Sequence, residues 1–305
     1  FIAVIHIYIV FYCFLILGIR DINDLRFYAG FFSDFEVYAL ILIIFNHKLQ
    51  IQISKKQKII FIVLIAISSL FYLSRTNFIQ FVILVIALKG YFVLNKRTVI
   101  ILSSLVLTSV LFYSAILYIN PKRNGAGIES FLYKIKIAPT EPFKTKINKD
   151  DYKDYNDNYR SVENILTVKE SLNLSYFQIF FGQGLGSTID LHRDVLLDNV
   201  ELRHISVLHN GFMTIYLKSG ILGVLILIMS IFILSKNTTK IKELQYLNYL
   251  IIGTIIFLII SYWVFMGLYF KADTKSILIG LIIAFIEKTK KEAENKLILQ
   301  TAQNI

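Results

Sequence analysis

Apolar residues along this chain fall in long blocks separated by short polar breaks, instead of recurring every three or four positions as on a solvent-facing helix. A membrane-crossing helix needs about 20 mostly apolar residues. Eight blocks approach that length, near residues 2–19, 30–46, 59–73, 76–94, 98–119, 210–234, 246–270 and 275–286, the last being the shortest. The pattern predicts an all-α, polytopic membrane helical bundle. One interval interrupts it: residues 121–208 are largely polar and hold all three prolines, Pro121, Pro139 and Pro142. The expected organisation is five spans over 1–120, a long extracytoplasmic loop with short helices over 121–208, and three spans with a basic tail over 209–305.

Within the long loop the pattern changes again. NPKRNGAG reads as a turn-rich exit from the membrane, and KINKDDYKDYNDNYR as a solvated stretch. SVENILTVKESLNL spaces Val162, Ile165, Leu166, Val168 and Leu172 for an amphipathic helix lying on the membrane surface. YFQIFFGQGLGS then gives an apolar run closed by Gly182, Gly184 and Gly186.

Composition sharpens the membrane reading: 56% of residues are hydrophobic and the mean hydropathy is +0.62. The first apolar run lacks a basic leader and a small-residue cleavage site, so it reads as a span and not as a cleaved signal. Cys13, the one cysteine, lies inside that run and gives neither a disulfide framework nor a metal cluster.

A net charge of +11 invites a nucleic-acid reading, which its distribution removes. Lys48, Lys55, Lys56, Lys58, Lys89, Lys96, Arg97, Lys236, Lys240, Lys242, Lys288, Lys290, Lys291 and Lys296 all fall on one side if the spans alternate, opposed only by Glu243, Glu287, Glu292 and Glu294. That set carries nearly the whole excess, and the positive-inside rule assigns its side to the cytoplasm. The loop 121–208 holds twelve basic and twelve acidic residues and so falls outside. No nucleic-acid partner is required.

Chemistry is concentrated at a few positions. Arg75, the only charge in the tight turn SRTN between two spans, is either a snorkelling anchor or a guanidinium fork preset for phosphate at the membrane surface. Arg160 stands before the candidate surface helix, where helix amides and a cation can hold an anion together, or it is one more charge in a mixed loop. The glycine run lacks the strand and distant acid of a dinucleotide fingerprint; it fits a tight bend or a close approach to a ligand. His209 opens the sixth span within LHNGF, either as a helix cap or as a proton acceptor at the membrane boundary. Gly220 follows eleven positions later on nearly the same helical face, which predicts close packing there, while Lys218 points the other way. Asp150, Asp151, Asp154 and Asp157 have enough carboxylates for a divalent cation, but Lys149 and Lys153 among them favour a solvated charge run and no metal.

The order of these features is more specific than any one of them: Ser74-Arg75 in an outer turn, a long outer loop with an arginine-led helix, G-x-G-x-G, then LHNGF and KSGILG opening the next span. Over residues 59–234 it resembles the O-antigen ligase and O-antigen polymerase superfamily of bacterial envelope polysaccharide enzymes. The chain departs from that pattern at Val162-Glu163-Asn164, where an aromatic residue is frequent, and at Lys218-Ser219, where an acid is common.

The resemblance implies an integral-membrane glycosyltransferase of the bacterial cytoplasmic (inner) membrane, with its active site on the extracytoplasmic face. Its donor would be an undecaprenyl-pyrophosphate-linked glycan and its acceptor another glycan, in O-antigen or capsule assembly, with no nucleotide sugar, cofactor or metal. By motif, Arg75 and Arg160 would neutralise the departing pyrophosphate, and His209 would orient or deprotonate the acceptor hydroxyl. Asn210 and the three glycines would contact substrate. Polymerase is favoured over ligase, because a ligase requires a lipid A-core acceptor. A flippase or other polysaccharide transporter is the alternative, and it requires ionisable or helix-breaking residues at mid-membrane.

Overall fold

A computed structural model describes the chain except residues 21–24, 26–32, 50, 73, 93–95, 124–127, 149–150, 198–199, 237–243, 265–273 and 304–305. Helix dominates, and each of the eight apolar blocks contains one: α1 Ile2–Leu15, α2 Ser33–Ile44, α3 Lys55–Tyr72, α4 Arg75–Leu88, α5 Lys96–Ile119, α10 Gly211–Lys236, α11 Gln245–Val264 and α12 Thr274–Gln303. Among the described residues, three stretches are long and apolar enough to cross a membrane: Val99–Ile119, Gly211–Ser235 and Gln245–Trp263. The shorter α1 and Thr76–Leu88 are also apolar.

The chain divides into two compact units. The first comprises residues 1–92, 232–258 and 270–305, and the second 93–231 and 259–269. In the first, Val37, Tyr38 and Ile41 of α2 and Phe45 just after it pack with Leu84 and Leu88 of α4 and Leu250 of α11. Gly253 lets α11 approach α4: a Cβ there would stand 2.7 Å from that of Ala87. Tyr38 and Thr254 close the contact with a 2.5 Å hydrogen bond. Basic residues gather at one end of this unit, as alternation of the helices requires. Lys48 Nζ, just beyond α2, donates to the last carbonyl of α4, Leu88, at 3.2 Å, and Lys58 on the first turn of α3 donates to the Ile44 carbonyl at 3.1 Å.

The second unit carries the polar segment, and here the all-α expectation is corrected. Besides α6 Ile128–Ile137, a 3₁₀ turn Glu141–Phe143, α7 Tyr152–Asp157, α8 Tyr159–Leu172 and α9 Tyr176–Phe181, it contains an antiparallel hairpin of β1 Ile189–Leu197 and β2 Val200–Ile205. Pairing runs from Ile189 opposite Ile205 to Leu197 opposite Val200, with an irregularity between Asp190 and Val195 where His192 adopts φ +57. Ile189 and Leu191 of β1 point into a core shared with Tyr155, Val162, Leu166, Ile205, Leu208 and Leu217. Each fully buried aliphatic side chain in it contributes about 1.5–3 kcal/mol relative to leaving that side chain in water.

Two further expectations change with that core. The stretch around Tyr152 is not a solvated loop: Asp151 caps α7 by accepting from the Lys153 amide at 2.8 Å, and α7 inserts Tyr155 beneath the Arg193 guanidinium, 4.5 Å from the ring centre. Its carboxylates are engaged separately, Asp154 by Lys144 and Asp157 by Arg123 and Tyr133, while Asp150 lies outside the described residues. Part of the expected apolar face of α8 is used inside the unit, where Val162 and Leu166 pack against β1, while Val168 and Leu172 stay exposed.

The hairpin carries a pH signature. Arg203 donates twice to Asp190, at 2.8 and 2.9 Å, and the His192 amide adds a third bond, which together hold the Asp190 carboxyl well below the ordinary carboxylate range. Because the folded value is depressed, the contribution is complete above the unfolded carboxylate value near pH 4 and is lost as pH falls further. Amide exchange of β1 and β2 relative to α8 is therefore expected to accelerate selectively under acid. Equal acceleration of both would remove Asp190 as the cause.

Candidate active site: a buried carboxylate behind His209

His209 precedes α10, whose first turn is capped by its neighbour. Asn210 Oδ1 accepts from the Phe212 amide at 3.0 Å and the Met213 amide at 3.3 Å, and Thr214 Oγ1 accepts from the Leu208 amide at 3.0 Å. Capping thus falls to Asn210, the residue expected to contact substrate, and the imidazole of His209 is released from that task. The Asn210 Nδ2 is buried without a partner among the described residues.

What holds His209 is Glu163, which the sequence reading passed over as a departure from a motif. Glu163 is wholly buried on α8, one helical turn from Tyr159 and Leu166 on the inward face. Its Oε2 accepts from the His209 amide at 2.8 Å, and its Oε1 lies 2.8 Å from His209 Nδ1. A carboxylate only accepts, so the ring proton at this contact belongs to Nδ1, and the lone pair lies on Nε2. The His209 side chain remains 31% exposed, which keeps that lone pair reachable. Tyr159 packs edge-on against the imidazole, centroids 5.5 Å apart. Burial, and then the Glu163 charge, push the Tyr159 phenol up, so it stays neutral and serves as a wall rather than a base.

Arg160 sits within the first turn of α8, after the Asn158 cap, rather than ahead of the helix. It is already partnered: Nη1 donates to both oxygens of Glu141 at 3.2 and 3.1 Å, and Ser161 hydrogen-bonds the Glu141 carbonyl. Its Nε is buried and unpaired among the described residues. Arg75 begins α4, where Ser74 supplies the cap, but its side chain lies outside the described residues. Arg75 belongs to the first compact unit, whereas Arg160, His209 and Asn210 belong to the second.

The glycines meet protein backbone. Gly220 packs closely, as its helical face predicts, against the Phe180 carbonyl and the Gly182 amide, and it also breaks α10 with φ +64 and ψ −161. The break frees carbonyls inside an apolar helix, where an unmet carbonyl is costly. The glycine loop supplies donors: the Gln183 amide reaches Leu217 O at 3.1 Å and the Gly184 amide reaches Lys218 O at 3.0 Å. Lys218 Nζ returns the favour to Leu185 O at 2.6 Å and Ser187 O at 3.3 Å, so it serves the loop. The loop is thereby pinned roughly 10 Å along α10 from its first turn. Beside it α9 leaves Tyr176, Phe177, Phe180 and Phe181 exposed, an aromatic face that a bilayer accommodates and water does not.

Among the described residues, no group of three or more His, Cys, Asp or Glu side chains is placed to hold a metal ion. Comparison with protein-family models, curated proteins and solved structures gives no match to this chain.

Proposed function

We propose that the chain is an integral-membrane glycosyltransferase that moves a glycan from an undecaprenyl-pyrophosphate carrier to another glycan, as a polymerase in preference to a ligase. The eight helices would all be spans, with residues 121–208 outside a bacterial cytoplasmic membrane. The observation that carries this reading is the Glu163–His209 pair, an imidazole fixed through Nδ1 by a buried carboxylate while its side chain stays partly exposed. In the reaction, Nε2 takes the proton of the acceptor hydroxyl as that oxygen attacks the anomeric carbon, and the bond from that carbon to pyrophosphate breaks. Negative charge grows on the leaving group, so Arg160 stabilises the transition state more than the bound donor. Arg160 does so by exchanging Glu141 for phosphate oxygen. The aromatic face of α9 supports a donor delivered in lipid.

Transport is a second reading, favoured by the break at Gly220 inside an apolar helix. Reconstituting the full chain in liposomes, with a polyprenyl-pyrophosphate oligosaccharide and its acceptor on one leaflet, separates the two. Lengthened glycan is the expected product. Donor crossing the bilayer with no glycan joined would replace the enzyme by a transporter.

A further inference from the structure

Away from His209, within the compact unit of residues 1–92, 232–258 and 270–305, apolar helices enclose a second set of ionisable groups. Glu36 of α2 is 2% exposed and His6 of α1 is 4% exposed. Ser68 of α3 stands between them: its hydroxyl donates to Glu36 Oε1 at 2.8 Å and lies 2.7 Å from His6 Nδ1. Tyr72, one turn further along α3, donates to the same carboxylate oxygen at 3.3 Å and stacks on His6 with ring centres 3.8 Å apart. The remaining oxygen, Glu36 Oε2, is buried and has no partner among the described residues.

A buried carboxylate is strongly disfavoured unless a cation or a proton compensates it. Among the described residues the groups facing Glu36 are few: His6 from α1, and Ser68, Ser69 and Tyr72 from α3. Helix α4 brings uncharged Asn77 to Ser33, one turn before Glu36, and α12 packs Leu278 and Ile282 on the Val37 side of α2. His6 is the titratable group joined to Glu36 through a hydrogen-bonded chain. Ser68 has a single proton to give. When it goes to Glu36, His6 donates from Nδ1; when it goes to His6, Glu36 is the acid that donates. One heavy-atom arrangement therefore fits two proton distributions.

We propose that His6, Ser68, Glu36 and Tyr72 form a proton-binding relay in which one exchangeable proton passes between imidazole and carboxyl through the Ser68 hydroxyl. In the forward step the Nδ1–H bond of imidazolium breaks as its proton binds Ser68 Oγ, while the original Ser68 O–H bond breaks and that proton binds Glu36 Oε1. An ion pair becomes a neutral imidazole and a carboxylic acid, and the reverse step restores it with no redox partner. The relay ties the packing of α1, α2 and α3 to proton supply, the use to which ionisable residues inside apolar helices are characteristically put.

Infrared difference spectra and ¹⁵N-histidine spectra of the full chain in lipid nanodiscs, recorded across pH, test the relay. A protonated-carboxyl C=O band is expected that vanishes in Glu36→Gln, shifts in Tyr72→Phe, and titrates together with His6. Ser68→Ala keeps both titratable groups and is expected to separate their midpoints by at least about tenfold in proton concentration. Absence of any Glu36-dependent band, or one common midpoint retained in Ser68→Ala, overturns the proposal; the Ser68 comparison decides even if Glu36→Gln fails to fold.

Discussion

Replacing His209 by Ala is expected to slow the proposed glycan joining by about 10²- to 10⁴-fold, the range a positioned general base contributes, and Glu163→Gln is expected to lose most of the same factor. Glu163 accepts two hydrogen bonds from one residue, the His209 amide and Nδ1, each at 2.8 Å. Glutamine keeps the volume but offers a single acceptor oxygen, and its NH₂ group must then face one of those donors. The imidazole turns or changes tautomer, so Nε2 no longer presents a lone pair to the acceptor hydroxyl. The loss therefore falls on kcat with KM little changed. Glu163→Ala differs in kind: it strands two buried donors at about 1–3 kcal/mol each and destabilises the packing of α8 on the His209 segment. Added imidazole restoring activity to His209→Ala, but not to Glu163→Ala, would place the chemistry on the ring and the positioning on the carboxylate. Full activity in both His209→Ala and Glu163→Gln would remove the base from the mechanism.

The reasons Glu163 escaped the sequence reading are physical. Its partner lies 46 residues away, and no local periodicity reports a hydrogen bond of that span. A signal was nonetheless present, because Glu163 shares the apolar face of α8 with Tyr159, Val162 and Leu166, where an isolated acid is expensive unless something binds it. Helix positions were legible because membrane-length apolar blocks have few alternatives: the backbone must satisfy itself wherever water is excluded. The hairpin was not. Its alternation, Ile189 and Leu191 inward with Asp190 outward, is broken by the irregularity at His192 after three residues, too short a run to compete with a helical pattern. Helix α7 was hidden because its one deep core contact, Tyr155, sits among charges that read as solvated. Arg160 was placed near the correct helix end, but pairing with Glu141 is a tertiary fact and depends on the 3₁₀ turn that presents it.

The glycine run provides the sharpest test of the loop on α10, because its three members face different surroundings. At Gly182, φ is +84, and an added Cβ would stand 2.4 Å from Lys218 C and O and from Ser219 N. Those atoms are backbone and have no rotamer by which to yield, so Gly182→Ala is expected to cost more than about 3 kcal/mol and to undock the loop. Gly220→Ala meets the same obstacle from the other side, with Phe180 O at 2.4 Å and Gly182 N at 2.6 Å and φ at +64. Gly184 also has positive φ, +94, but open space around it, leaving only the conformational penalty of about 1–2 kcal/mol. Gly186 has neither constraint, and Gly186→Ala is expected to be near neutral or slightly stabilising. Thermal unfolding should rank the substitutions Gly182 and Gly220 worst, Gly184 intermediate and Gly186 least. Proteolysis at 182–187 should rise in the same order, since docking protects that backbone through the Leu217 and Lys218 carbonyls. If the run served chiefly to admit a ligand, the order would be set by activity, and Gly184 and Gly186, which have free space beside them, would be the damaging positions while stability stayed flat. A flat stability series would therefore transfer the glycines from backbone docking to substrate contact.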